Sequence, residues 1–117
     1  IELNGGIAVR TQLRFPDYRP DWAQVRALVT PRTRMIMINT PHNPSGSVWS
    51  AQDMAQLADI VRGTDIVIAA DEVYEHILFD GARHESCARH AELAHLALAD
   101  DDRGRGAVTD RRAHGQR

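Results

Sequence analysis

Apolar and polar positions alternate most clearly near the front of the chain. In "GGIAVRTQLRF", Ile7, Val9, Leu13 and Phe15 are interleaved with Arg10, Gln12 and Arg14. A period of two predicts a strand with one covered face. "PDYRPD" breaks the pattern, and Asp21 stands where an N-cap belongs. It precedes Trp22, Val25, Leu28 and Val29, which share one face of a short helix. Pro31 closes that segment. "RMIMINT" does not alternate: it is a continuous apolar run, the pattern of a strand covered on both faces.

The strongest helical period follows in "SAQDMAQLADIVRG". Ser50 and Asp53 have the spacing of a capping box, Met54, Leu57, Ala58 and Val61 share a face, and Gly63 supplies a stop. "DIVIAAD" then predicts a second strand covered on both faces. Strand, helix and strand at this spacing predict a right-handed βαβ unit with parallel strands, so the fold class is α/β. Ligands of open parallel sheets gather at the carboxyl ends of strands. Two loops are expected there as neighbours, "TPHNPSG" after the first strand and "DEVYEH" after the second.

Composition changes this picture in several ways. The 117 residues suffice for one modest domain, and a net charge of −2 gives no basic surface for nucleic acid. No apolar run reaches membrane-spanning length. The single cysteine, Cys87, excludes an internal disulfide and suits a reducing compartment, hence a cytoplasmic location. From about Ala99 the chain turns to "ADDDRGRGAVTDRRAHGQR", in which Val108 is the only large aliphatic residue. Such a segment buries too little apolar surface to offset the entropy of ordering, and disorder is expected. The chain starts on Ile1 without a signal-peptide pattern, which suggests a piece of something longer. All fourteen basic residues are arginines. Chemistry that needs a side-chain amine is therefore closed to these residues.

Candidate chemistry concentrates in the two loops. Asp71 and Glu72 end an apolar strand, and Tyr74 follows three residues after Asp71. A carboxylate there either faces a cation or several donors, or it caps the next turn; the segment alone leaves both open. An apolar run ending in Asp-Glu also suggests the metal-binding strand of a nucleoside triphosphatase. That reading fails without a glycine-rich loop and its lysine. In "NPSG", Pro44 and Gly46 suit a plain chain reversal, while Asn43 between prolines suits a rigidly held ligand contact. Cys87, His84, His90 and His95 lack the spacing of a zinc set, and there is no serine-hydrolase elbow, so no metal is expected.

Taken together, "INTPHNPSG", its capped helix and "DIVIAADEVYEHILFDG" resemble the large-domain core of class I/II pyridoxal-phosphate (PLP) aminotransferases. The resemblance is strongest to the branch of methionine and kynurenine–oxoglutarate aminotransferases, and it runs from about Gly5 to about Leu93. It implies a partial fold type I large domain over residues 1–95, a mostly parallel sheet flanked by helices, and an off-family tail over 96–117. It implies PLP as cofactor, amino acid and 2-oxo acid substrates, and a homodimer. By this resemblance Asn43 and Tyr74 bind the cofactor's phenolic oxygen, with a cis bond often found between Asn43 and Pro44. Asp71 pairs with the pyridine nitrogen, keeping it protonated so that the ring can accept electrons. The family's Schiff-base lysine has no counterpart, so no catalytic residue is assigned. The expected activity is transamination by family membership, with this chain an inactive fragment of an interrupted gene. The alternatives are a PLP-dependent carbon–sulfur lyase and a non-catalytic fragment that binds a partner subunit.

Overall fold

The computed structural model describes residues 1–94 and the backbone of residues 97–100. In chain order the elements are a 3₁₀ turn Glu2–Asn4, β1 Leu13–Arg14, β2 Arg19–Pro20, α1 Trp22–Leu28 and β3 Met35–Asn39. After these come α2 Ala51–Val61, β4 Val67–Asp71, a 3₁₀ turn Cys87–Arg89, α3 Ala91–Ala94 and β5 Ala97–Asp100. β1 and β2 form a small antiparallel ribbon. The main sheet has the order β3-β4-β5, and both pairings are parallel. β3, α2 and β4 are the βαβ unit predicted from the sequence.

Local signals act where they were expected. Asp21 caps α1 by accepting from the Gln24 N–H at 3.0 Å. Ser50 and Asp53 satisfy each other's backbone N–H groups in a complete capping box. Gly63, just past the end of α2, has φ +71°, a conformation that L side chains rarely adopt. One face of α2 buries Met54, Leu57, Ala58 and Val61 against Ile38, Ile68 and Ala70 from the strands and Ile66 just before β4, with Cys87 and Leu93 closing the cluster. Trp22, Val25 and Val29 of the α1 segment pack on its edge.

Asp53 joins the two halves of this arrangement. Besides its cap, it pairs with Arg19 from β2 and accepts from Trp22 Nε1 at 3.1 Å. Burial alone raises its pKa. The bonds from Ser50 and Trp22, with the Arg19 charge, outweigh burial and hold it below the ordinary aspartate value.

Three expectations change. The front segment is not a covered strand: only Leu13–Arg14 pair, and Ile7 and Phe15 are each 80% exposed. Alternation supplied an apolar face, but no described element lies over it. β3 and β4 are not covered on both faces either, since Met35 and Met37 are exposed while Ile38 and Ile68 are buried. α2 covers one side of the sheet, and nothing among the described residues covers the other. Lastly, Ala97–Asp100 form a third parallel strand inside the stretch assigned to the tail. The polar composition beyond it had masked a four-residue strand, because backbone pairing with β4 needs no long apolar run. The remainder of the expected disordered tail, residues 101–117, lies outside the described residues.

The Asp53 junction gives a direct test. Asp53→Ala leaves the Ser50 and Trp22 N–H donors without their acceptor. It should lower unfolding stability by about 2 kcal/mol, measured by urea denaturation followed through tryptophan fluorescence.

Candidate functional site

The candidate site grows from the register of β3 on β4. Asn39 is paired with Asp71, the last residue of each strand. Paired residues on parallel neighbours project from the same side of the sheet, here the side that α2 leaves open. Asn39 Nδ2 donates to the Asp71 carbonyl at 3.2 Å, and the Thr40 N–H donates to the same oxygen at 3.1 Å. Asn39 Oδ1 in turn accepts from the Asn43 N–H at 2.9 Å. Asn39 thus links both strand ends to the loop between β3 and α2.

That loop is tightly closed. The His42 N–H donates to the Ser47 carbonyl at 2.8 Å, the Gly46 N–H to the His42 carbonyl at 2.7 Å, and His42 Nδ1 meets Ser45 Oγ at 2.6 Å. Gly46 has φ +72°, as a reversal here requires. The Thr40–Pro41 and Asn43–Pro44 bonds are cis. So the segment is a turn, and it also presents Asn43 at the surface. The exposed Asn43 amide donates from Nδ2 to the Tyr74 hydroxyl at 3.2 Å. Two of the three residues singled out in the sequence are therefore in contact across the βαβ unit. Both line an open cleft of about 600 Å³, whose apolar wall includes Val48, Ile77 and Phe79.

Asp71 stands apart from this pair. It is exposed, forms no ion pair among the described residues, and its Oδ1 accepts from the Val73 N–H at 3.3 Å. Of the two open readings, the cap on the following turn is the one observed. Asp71 shares the open face with Asn39 but does not line the cleft.

The buried carboxylate is its neighbour. Glu72 is 1% exposed, accepting from the Cys87 N–H at 2.9 Å and lying 3.1 Å from His84 Nε2. Burial raises its pKa, but hydrogen bonds from His84, the Cys87 backbone and Ser86 outweigh that and leave it lowered. The same burial, with the nearby Glu72 charge, pushes the Cys87 thiol up to about 12, so it stays protonated and inert. The Glu72 role was readable in principle. Ile66, Ile68, Ala70 and Glu72 follow one period-two series, and all four are buried. Among the described residues, no group of three or more His, Cys, Asp or Glu side chains is placed to hold a metal. No described helix is long and apolar enough to cross a membrane.

A parallel α/β sheet presenting an amide, a phenol and a carboxylate at adjoining strand ends is a cofactor-binding type of architecture. Residues 1–103 match the family "Aminotransferase class I and II", and the chain belongs to that family, which is PLP-dependent. It is 44% identical over 99 residues to the methionine aminotransferase of Escherichia coli K12, covering 85% of this chain and 26% of that protein. It is 53% identical over 60 residues to the probable N-succinyldiaminopimelate aminotransferase DapC of Mycobacterium tuberculosis, covering 51% of this chain and 15% of that protein. Among solved structures, YbdL of Escherichia coli, identified as having a methionine aminotransferase function, superposes with a TM-score of 0.81 at 43% identity. That match covers 85% of this chain and 26% of YbdL. The architecture is a partial fold type I α/β unit. The chain thus spans about a quarter, or less, of the length of these relatives.

Glu72 makes stability depend on acid. Its folded pKa lies below the ordinary value of 4.5, so its contribution is present above that value and is lost as pH falls through the folded value. Thermal unfolding by circular dichroism should show a midpoint that drops steeply below pH 4.5. In Glu72→Gln the midpoint should be lower at neutral pH and the acid slope shallower, because only the wild type has this carboxylate to protonate.

Proposed function

We propose that this chain is the part of a PLP-dependent aminotransferase that grips the ring edge of the cofactor. The observation that carries the reading is the Asn43–Tyr74 contact on an open cleft, built from loops at adjoining parallel strand ends. The donor set suits the group. An amide N–H and a phenolic O–H can both turn toward one phenolate-type oxygen, and the exposed Asp71 carboxylate can pair with a protonated ring nitrogen. Asn43 and Tyr74 already satisfy each other through an exposed bond, so trading it for bonds to a ligand costs little. Asp71 sits on the same sheet face, its carbonyl held by Asn39 and Thr40 while its carboxylate stays accessible.

When bound, PLP supplies an electron sink for charge left on an amino acid's α-carbon. Asp71 holds the proton on the ring nitrogen that this requires, and Asn43 and Tyr74 orient the ring by its oxygen. No residue in the chain is a lysine, so none of its side chains can form the covalent attachment or shuttle the substrate proton as an amine. The reaction we assign to the whole enzyme is transfer of an amino group from an α-amino acid to a 2-oxo acid in a homodimer. A cytoplasmic location belongs to the same proposal, resting on the single buried Cys87. Relatives named for methionine and for N-succinyldiaminopimelate both match this chain, over 99 and 60 residues. That supports assigning it to cofactor binding and not to the choice of amino acid.

The test is titration of the chain with PLP, followed by absorbance, and then borohydride reduction and mass analysis. The wild type should bind PLP reversibly, and reduction should leave no adduct on any side chain. Asn43→Ala and Tyr74→Phe should each weaken binding by about five- to tenfold. Undiminished binding by the double variant would overturn the assignment.

A further inference from the structure

The same strand-end geometry carries a role for a residue that touches neither the cleft nor any assigned ligand group. Asn39 is the last residue of β3, and its side-chain amide is used at both ends. Its Oδ1 accepts from the backbone N–H of Asn43 at 2.9 Å, and its Nδ2 donates to the backbone carbonyl of Asp71 at 3.2 Å. One planar amide therefore holds the loop that carries Asn43 against the strand that carries Asp71. Sheet pairing cannot do this alone. The β3–β4 ladder ends at the Asn39–Asp71 pair, and beyond it the backbones separate into two different loops. Thr40 N–H adds a bond to the Asp71 carbonyl, but the hydrogen bonds running from Asn43 back to the strand come through Asn39.

The residue type suits this task. A side chain bridging an N–H on one side and a carbonyl on the other must offer an acceptor and a donor about two ångströms apart, which a primary amide does. Aspartate supplies only acceptors when ionised, serine is too short to span both partners, and glutamine adds a rotatable bond. Because both bonds reach backbone atoms, they fix where the Asn43 and Asp71 side chains start from, without competing for the polar groups those side chains offer a ligand.

We infer that Asn39 is a positioning residue: its amide clasps the two loops so that Asn43 and Asp71 are presented together to the cofactor. This rests on the reading that Asn43, Asp71 and Tyr74 hold PLP. Asn39 itself contacts no reacting group and acts only through the other two.

The experiment uses the full 117-residue chain, ¹⁵N-labelled, as wild type, Asn39→Ala and Asn39→Asp. Amide hydrogen exchange by NMR reads the clasp directly. In Asn39→Ala the Asn43 amide should exchange about tenfold faster, while the Trp49 and Met54 amides, bonded to Thr40 Oγ1 and the Ser50 carbonyl, keep their wild-type rates. Asn39→Asp retains an acceptor and should restore protection at Asn43. The second reading is affinity for pyridoxine 5′-phosphate, which has the ring oxygen, nitrogen and phosphate but no aldehyde to react with the chain's amino terminus. Asn39→Ala should bind it about fivefold more weakly although Asn43, Asp71 and Tyr74 are all present. A uniform acceleration of all three amides would mean a general structural role and would overturn the inference. So would an unchanged Asn43 rate with unchanged affinity. Selective exposure of Asn43 with no ligand binding by the wild type would support the clasp and sink the cofactor reading instead.

Discussion

The parallel register of β3 on β4 is the constraint on which the site depends. Parallel neighbours end at the same edge, so pairing Asn39 with Asp71 delivers two loops, far apart in sequence, to one place. A slip of one residue in either strand would turn its last residue, Asn39 or Asp71, to the α2 side and bring Ile38 or Ala70 to the open face. The buried series of Ile38, Ile66, Ile68 and Ala70 against α2, with Ile36 half-buried beside it, makes that slip costly. Packing on one face of the sheet thereby sets the chemistry on the other.

Asp71 and Glu72 show how sharply that division acts. They are adjacent carboxylates, yet one is exposed and the other is 1% accessible. Glu72 is on the packed side, where an ionised group persists only if donors replace its water. His84 and the Cys87 N–H do so, and in doing so they pin the segment leading to the Cys87–Arg89 turn beneath the sheet. Asp71 meets the open side and keeps its carboxylate in reach of solvent. The alternation of a strand is enough to give two identical functional groups different work.

What could be read from the sequence was what is decided locally. Asp21, the Ser50/Asp53 box and Gly63 each act within a few residues of their own position, and each acts as its spacing predicts. The meeting of Asn43 and Tyr74 was legible because two motifs lay at the ends of two apolar runs, and parallel pairing brought them into contact. Exposure was not legible, because it is settled by what lies over a face. Met35 and Met37 have the same apolar character as Ile36 and Ile38, and only the position of α2 separates them. The Arg19–Asp53 pair and the Asn39 bridge were equally hidden, since each needs a partner placed by the fold.

The polar contacts finally sort by accessibility into those that hold the fold and those free to act. The Glu72 bonds are buried, and breaking them would leave donors and a charge with nothing to replace the loss. The Asn43–Tyr74 bond is exposed, so either group can release the other and find an equivalent partner at little net cost. Asn39 lies between these extremes, half-buried, using its side chain entirely on backbone atoms. A binding site needs this gradient. Groups that meet a ligand must be cheap to uncouple, and the groups that aim them must not be, or the ordering cost would fall on every binding event.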